Sequence, residues 1–174
     1  MEFQDVISNR YSVRKFSDKE VPPDLITEII EVGRIAPSGG NHQPTVVYVL
    51  DEKKIEKLNV ASARIHPVLF RAKQALLVCY DKKLQMKRPH DDFSFGITDS
   101  SITATYMVLK ITELGLGSVW VGWFNPAVIK EILKLPEEYE VSVILPFGYI
   151  QKGHRSRANH KKRKPIEEFM IDCL

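Results

Sequence analysis

The residues with the clearest chemical potential lie in two short segments near the N-terminus. The first spans residues 10–14 and has the sequence Arg-Tyr-Ser-Val-Arg. In an extended segment, alternate side chains point the same way, so Arg10, Ser12 and Arg14 would place three hydrogen-bond donors on one edge. Guanidinium groups bind phosphates and carboxylates well. The segment therefore predicts a site for an anionic group.

The second segment spans residues 37–44 and combines small residues with side-chain amides. Its residues of interest are Pro37, Ser38, Gly39, Gly40, Asn41 and Gln43. Residues with almost no side-chain bulk let backbone N–H groups approach a flat ligand closely. The two amide side chains each offer a donor and an acceptor. This loop is expected to contact a planar ligand, although such a sequence alone is also typical of an ordinary turn.

Length and composition favour one intracellular domain. The chain has 174 residues, of which 44% are hydrophobic, enough for one core. It contains no run of about 18 apolar residues, and its first residues are too acidic for a signal peptide. We expect a cytoplasmic protein that does not span a membrane. Cys79 and Cys173 form no Cys-x-x-Cys motif and are expected to be free thiols.

Charge is distributed unevenly along the chain. The net charge is +3, but residues 151–165 contain seven Lys or Arg and no acid, which leaves 18 basic and 22 acidic residues elsewhere. Such a basic arm could bind nucleic acid, remain solvated or wrap onto an anionic cofactor. Pro165 begins a new amphipathic pattern, which favours the cofactor hypothesis. Nucleic acid is disfavoured because the arm lacks interleaved aromatic residues.

Hydrophobic patterns predict alternating helices and strands. The predicted strands are Thr45–Leu50, Ala75–Tyr80, Val119–Trp123 and Val141–Leu145. The predicted helices are a short one around Val6, one from Pro23, Asp51–Leu58, Asp99–Leu114, and one capped by Asn125. Residues 81–98 are expected to form a loop, and Gly115 and Gly117 to take left-handed backbone conformations after the long helix. Because that helix is apolar almost all round, it must be buried in the core or at a subunit interface.

The order of these motifs resembles the nitroreductase family of FMN-dependent oxidoreductases. The resemblance joins the two N-terminal segments, the Gly-Leu-Gly at 115–117 with the following Ser-Val-Trp-Val-Gly-Trp, and the Lys-Lys-Arg-Lys-Pro at 161–165. It implies an α+β fold, a three-layer α/β/α sandwich with a mixed, largely antiparallel sheet, paired into an intertwined homodimer. Residues 1–174 would be a single FMN-binding domain with a basic arm from about residue 151 to 174.

The resemblance also implies a site. Arg10, Ser12 and Arg14 would hold the FMN phosphate and reach the ring, and Lys161 and Arg163 would complete the phosphate clamp. The loop formed by Pro37, Ser38, Gly39 and Gly40 would meet a flavin bound mainly to the other subunit, with Asn41 and Gln43 bonding to it. Gly122 would let the backbone approach the ring, and Phe93 and Phe95 would touch substrate. Two positions depart from the family pattern. Relatives often carry Trp where this chain has Thr45, and some relatives carry an acidic residue where it has Val121.

The implied activity needs no catalytic side chain. In this family the flavin N5 accepts hydride from NADH or NADPH and passes electrons to a nitroaromatic, a quinone or a similar small acceptor in a ping-pong scheme. A flavin-binding redox sensor or carrier with little turnover is the alternative, and a nucleic-acid-binding domain that uses the basic arm is a weaker one. No metal is expected because the five histidines show no ligand spacing. The sequence does not specify which acceptor is reduced or whether NADH or NADPH is preferred. It also leaves open whether the reaction is a dehalogenation.

Overall fold

A computed structural model describes residues 1–61 and 71–170. The strands are β1 (Thr45–Leu50), β2 (Gln74–Asp81), β3 (Gly117–Ser118) and β4 (Tyr139–Gly148). The helices are α1 (Phe3–Asn9), α2 (Pro23–Arg34), α3 (Glu52–Ala61), α4 (Gly96–Glu113), α5 (Pro126–Leu133) and α6 (Ile166–Phe169). Single 3-10 turns lie at Gly39–Asn41 and Ala158–Lys161.

The four strands form one sheet in the order β1-β2-β4-β3, and all neighbouring strands are antiparallel. Val46 pairs with Cys79 in the outer pair of strands, and Leu76 pairs with Leu145 in the central pair. A parallel bridge between Ser12 and Ser118 adds the N-terminal segment beside β3. The sheet is therefore mixed but largely antiparallel, as predicted.

Helices cover both faces of this sheet. Successive side chains of a strand point to opposite faces. Accordingly, Leu76 and Val78 of β2 pack in a cluster with residues of α2 and α4. Leu77 and Cys79 pack in a second cluster with residues of α3 and α5. The chain thus has the three-layer α+β architecture that the sequence predicted.

One predicted strand is wrong. Residues 119–123 run beside β4, where the Val119 N–H donates to Pro146 at 3.2 Å and Val121 exchanges both backbone hydrogen bonds with Ile144 at 3.0 Å. Pro146 has no N–H to return the bond to Val119, so the ladder is interrupted. Only Gly117 and Ser118 form a regular strand here.

The long central helix and the glycines after it also differ in detail from the prediction. The helix α4 begins at Gly96, three residues before the predicted Asp99. Gly115 has a φ of +73° and ends the helix in the left-handed conformation, as predicted. Gly117 instead lies in β3, where a Cβ would come within 2.5 Å of Val13 Cγ2. Gly117 is therefore required by close packing and not by its backbone angle.

Candidate functional site

The Arg10–Arg14 segment forms an extended edge beside β3. The Val13 N–H donates to the Ser118 carbonyl at 2.9 Å, and the Val13 side chain is only 1% exposed. Because side chains alternate along an extended segment, the inward position of Val13 directs Arg10, Ser12 and Arg14 to the other side. All three are half-buried. The structure therefore presents the three donors together along one edge.

The basic arm folds back onto this edge. The Gln151 N–H donates to the Lys15 carbonyl at 3.1 Å, and the Arg14 N–H donates to Nε2 of His154 at 3.4 Å. The ring of Tyr11 lies 5.9 Å from the ring of His154 and 6.0 Å from that of His160. Ring contacts thus hold the arm at two places, which brings its charges to the N-terminal segment.

This arrangement concentrates positive charge. Burial and the neighbouring Arg163 lower the pKa of Arg10, and burial and Arg157 lower the pKa of Arg14. Within residues 1–61 and 71–170, no ion pair joins Arg10, Arg157 or Arg163 to a carboxylate. The like charges of Arg10 and Arg163 repel each other, so a bound anion would stabilise this pair.

The two histidines of the arm are biased toward the neutral form. Burial, followed by the charges of Lys15 and Arg14, lowers the pKa of His154. Burial, followed by Arg10 and Arg163, lowers the pKa of His160, and Lys161 adds a smaller effect. A neutral His154 can accept the Arg14 N–H through Nε2. The sequence analysis did not single out either histidine as part of the site.

The predicted clamp residues of the arm occupy different places. Arg163 is exposed at its side chain, yet it lies close enough to Arg10 to lower the pKa of that guanidinium. Its Nη1 donates to the carbonyls of His160 and Lys162. Lys161 is exposed on the 3-10 turn and acts on His160. Arg157, which the sequence analysis did not select, acts on Arg14.

A cleft opens next to the charged edge. It has a volume of about 240 Å³, and Arg10, Ser118 and Trp120 line it together with the outer side of α4. Gly122 is exposed nearby in the chain, and a Cβ there would meet only Trp120 Nε1, at 3.9 Å. The backbone at Gly122 is therefore open to close approach by a ligand.

The second predicted segment is a tightly bonded loop with unusual backbone angles. Gly40, Asn41 and Gln43 have φ values of +55°, +58° and +50°. Left-handed conformations are uncommon for residues other than glycine and cost about 1–3 kcal/mol each. The Gln43 N–H donates to Ser38 Oγ at 2.9 Å, and Gln43 Nε2 donates to Asn41 Oδ1 at 3.2 Å. These bonds hold the loop in its strained shape.

Further contacts fix the loop to the rest of the fold. Asp99 Oδ1 accepts the Gly39 N–H at 3.0 Å, and His42 Nδ1 lies 3.1 Å from the Leu84 carbonyl. Asp99 is 2% exposed. Sequence reasoning did not identify Asp99, although an acid in the first turn of an otherwise apolar helix was a signal for it.

The predicted substrate residues lie in a hairpin-like loop beside the second segment. Lys87 and Ser94 form an antiparallel bridge across this loop. The rings of Phe93 and Phe95 pack edge to face with centroids 5.1 Å apart, and Arg88 lies 4.5 Å from the Phe93 ring. A Cβ at Gly39 would lie 3.5 Å from Phe95 Cβ. The hairpin therefore places an aromatic pair next to the glycine loop.

The two segments meet α4 at different levels. The loop is bonded to Asp99, whereas the cleft at Arg10 is lined by Thr105, Val108 and Leu109. Asp99 and Leu109 differ by ten positions, which corresponds to about 15 Å along a helix. Within one chain, the Arg10–Arg14 edge and the glycine loop thus lie along the same helix but apart from each other.

No cluster of three or more His, Cys, Asp or Glu that could hold a metal ion occurs in the described part of the chain. None of the helices within residues 1–61 and 71–170 combines the length and apolarity needed to cross a membrane. Cys79 is fully buried, and burial raises the pKa of its thiol to about 12. Cys173, the other predicted free thiol, lies outside the described residues.

Known proteins match this chain over most of its length. A Bacillus subtilis protein named FMN reductase [NAD(P)H] is 29% identical over 177 residues, which cover 93% of this chain and 69% of the relative. The crystal structure of a nitroreductase family protein from Clostridium difficile 630 superposes with a TM-score of 0.89 and 38% identity, covering 100% of this chain and 99% of that one. A Desulfovibrio desulfuricans protein described as a nitroreductase in complex with FMN superposes with a TM-score of 0.81 and 25% identity, covering 99% of this chain and 96% of that one.

A sequence model that describes the nitroreductase family also matches this chain. It matches residues 7–85 and 60–149, which include the N-terminal segment, the glycine loop, the hairpin and α4. The resemblance inferred from the motifs is thereby confirmed at the level of the family and its fold. The chain belongs to the nitroreductase family.

Proposed function

We propose that this protein is an FMN-dependent oxidoreductase that takes hydride from NADH or NADPH and reduces a small nitroaromatic, quinone or similar acceptor. The observation that carries the proposal is the extended edge around Ser12, where Arg163 of the arm lies near Arg10 and Arg157 lies near Arg14. A phosphate monoester carries about −1.5 to −2 charges and three acceptor oxygens at neutral pH. Such a group suits the Arg10–Arg163 pair, whose like charges repel each other, and the neighbouring Arg14–Arg157 pair.

The remaining residues suit the rest of this cofactor. Trp120 and Ser118 continue the cleft from Arg10, and Gly122 leaves its backbone open for a flat ring. When bound, FMN supplies the two-electron chemistry that this fold otherwise lacks. The chain itself binds the phosphate through its arginines and, where a guanidinium reaches the ring, stabilises the negative charge that reduction adds. We infer that Lys161 is a weaker member of this clamp, since its charge acts on His160 and is not among the causes that lower the pKa of Arg10 or Arg14.

The outer face of α4 supports a homodimer. Ile97 is 48% exposed and Tyr106 is 38% exposed on this face. Two open clefts of about 470 Å³ and 560 Å³ run along it, and Tyr106 lines both. Large exposed apolar surfaces mark interaction sites. Thr105 and Leu109 line these clefts and also the cleft at Arg10, so the proposed cofactor site borders the proposed interface.

A dimer would also explain why the two halves of the site lie apart on α4. If a second copy packs against this face, its glycine loop can meet a flavin held by the arginines of the first copy. The loop residues would then contribute to the partner's cofactor site. These residues are Pro37, Ser38, Gly39, Gly40, Asn41 and Gln43. The substrate would bind near Phe93 and Phe95, because Phe95 adjoins Gly39.

Absorbance spectroscopy tests the proposed cofactor and its reduction. The purified protein, reconstituted with FMN and kept anaerobic, should show a flavin spectrum that bleaches on addition of NADPH or NADH. A bound flavin that never bleaches would favour a sensor or carrier. Protein that binds no FMN after reconstitution would refute the proposal, and salt-sensitive nucleic-acid retention that is lost on removing residues 152–164 would favour the arm as a nucleic-acid site.

A charge-matched pair of variants tests the phosphate clamp. Arg163→Ala removes a cation that acts on Arg10 and should weaken FMN binding about tenfold, since hydrogen bonds to charged groups contribute about 1.5–3 kcal/mol and solvent weakens exposed ones. Lys162→Ala removes the same charge from the neighbouring exposed residue and should change the affinity less than about twofold. Fluorescence quenching of FMN measures both. Equal losses of FMN affinity in the two variants would show that only the overall positive field attracts FMN. That result would contradict a specific phosphate clamp.

A second pair tests the interface. Tyr106→Glu places a charge on the outer face of α4 and should convert a dimer into monomers with little bound FMN. Val49→Glu places the same charge on β1 at a residue with the same 38% exposure and should leave the dimer intact. Size-exclusion chromatography with light scattering gives the masses. A Tyr106→Glu variant that stays dimeric would place the interface elsewhere.

A further inference from the structure

A buried carboxylate connects α4 to the glycine loop. Asp99 lies in the first turn of α4, where the helix dipole favours negative charge, and it is 2% exposed. Its Oδ1 accepts the Gly39 N–H at 3.0 Å. Its Oδ2 is buried without a hydrogen-bond partner among the described residues. Burying a carboxylate with one unsatisfied oxygen is costly, so the position needs a reason beyond packing.

Gly39 is the residue at which the loop needs support. The next residues, Gly40 and Asn41, have φ values of +55° and +58°, and Gln43 follows with +50°. Such conformations persist only where surrounding contacts determine them. The other hydrogen bonds of the loop run within it, to Leu84 in the exposed turn after β2, or from the Asp81 N–H of β2 to the Pro44 carbonyl at the far end of the loop. Asp99 instead belongs to α4, whose inner face packs in the core.

We propose that Asp99 is a positioning residue. It fixes where along α4 the Gly39 and Gly40 backbone lies, so that this backbone can contact the cofactor. This inference rests on the proposed function, since it assigns Asp99 a role in the same flavin site. The carboxylate does not touch the cofactor. It acts through the Gly39 N–H, and it couples the loop to the helix that also lines the cleft at Arg10.

The neighbouring residue provides a matched control. Ser100 is fully buried, and its hydroxyl donates to Ser142 Oγ at 2.8 Å. Ser100→Ala therefore removes a buried hydrogen bond from the same turn of α4, but toward β4 and not toward the loop. Asp99→Asn keeps an oxygen that can accept the Gly39 N–H, whereas Asp99→Ala removes it.

The experiment measures FMN affinity and the visible circular dichroism of the bound flavin in full-length protein. Asp99→Ala should weaken FMN binding about 10- to 100-fold and change the dichroism, because a hydrogen bond to a charged group is lost. Asp99→Asn should restore both to within about threefold of wild type, and Ser100→Ala should leave both unchanged while lowering the Tm. An Asp99→Ala variant with wild-type affinity and dichroism, or one that matches Ser100→Ala, would overturn the proposal.

Hydrogen exchange provides a test that needs no variant. In wild-type protein without FMN, the Gly39 amide should exchange more slowly than the amide of exposed Gly153, and rapid exchange at Gly39 would overturn the proposal even if Asp99→Ala fails to fold. A failure of the proposed function and a failure of the role of Asp99 give different results. Wild-type protein that binds no FMN refutes the proposed function together with this role. Wild-type protein that binds FMN, with an unaffected Asp99→Ala variant, refutes only the role of Asp99.

Discussion

Gly117 allows the Arg10–Arg14 segment to lie against the sheet, and replacing it tests how packing controls the proposed cofactor site. A Cβ at Gly117 would lie 2.5 Å from Val13 Cγ2, 2.8 Å from Val13 Cβ and 2.9 Å from Ile150 Cγ1. Contacts this short cannot persist, and Val13 is β-branched and 1% exposed, so it has few other rotamers. Gly117→Ala must therefore push the segment away from β3. Overpacking of this kind costs about 1–3 kcal/mol.

Gly115 is the control for this substitution. Nothing lies within 4 Å of a Cβ at Gly115, but its φ of +73° makes alanine unfavourable by about 1–2 kcal/mol. Both variants should thus lower the Tm, by about 2–4 °C for each kcal/mol in a chain of this size. Only Gly117→Ala displaces Arg10 and Arg14, so only it should weaken FMN binding, by about tenfold or more.

Two assays decide the outcome. Thermal denaturation at a fixed protein concentration compares stability, and fluorescence quenching compares FMN affinity. If Gly117→Ala and Gly115→Ala lose similar stability and bind FMN equally well, the contact with Val13 does not set the position of the arginines. Packing at Gly117 would then not control the proposed cofactor site, although Arg163→Ala would still test the phosphate clamp.

Three further predictions follow from the described residues. Folding lowers the pKa of His154 and of His160 from 6.5, so their contribution to stability is present above about pH 6.5 and is lost as the pH falls below it. The Tm of the wild-type protein should therefore fall from pH 7 to pH 5.5. The Tm of the His154→Gln variant should fall less over the same range. Cys79, fully buried with its pKa raised to about 12, should resist iodoacetamide in native protein and react on unfolding, and rapid native labelling seen by mass spectrometry of its peptide would contradict the burial. Asn125→Ala should cost about 1 kcal/mol in chemical denaturation, because Asn125 Oδ1 accepts the Ala127 N–H at 3.0 Å at the start of α5, and an unchanged midpoint would contradict this cap.

Local patterns predicted much of the fold because each reflects a local physical rule. Thr45–Leu50 has the predicted strand bounds, since β-branched residues between a proline and a charge favour a strand. Asn125 and Pro126 predicted the start of α5 because the cap and the first helical position are local. The strand at 119–123 was wrong because its pairing depends on Pro146, which is distant in sequence and adjacent only in the sheet.

The sequence by itself determined the family, the order of the elements and the residue types that can bind an anion and a flat ring, because motif order and alternation are properties of the chain. Tertiary structure decided which of those residues share a site. It brought Arg157, Arg163 and two histidines of the arm to the edge at Arg10, and it buried Asp99 under Gly39. These contacts join positions 60 to 153 residues apart. No local pattern specifies them, because they arise only when the basic arm folds back onto the N-terminal segment and α4 packs beside the glycine loop.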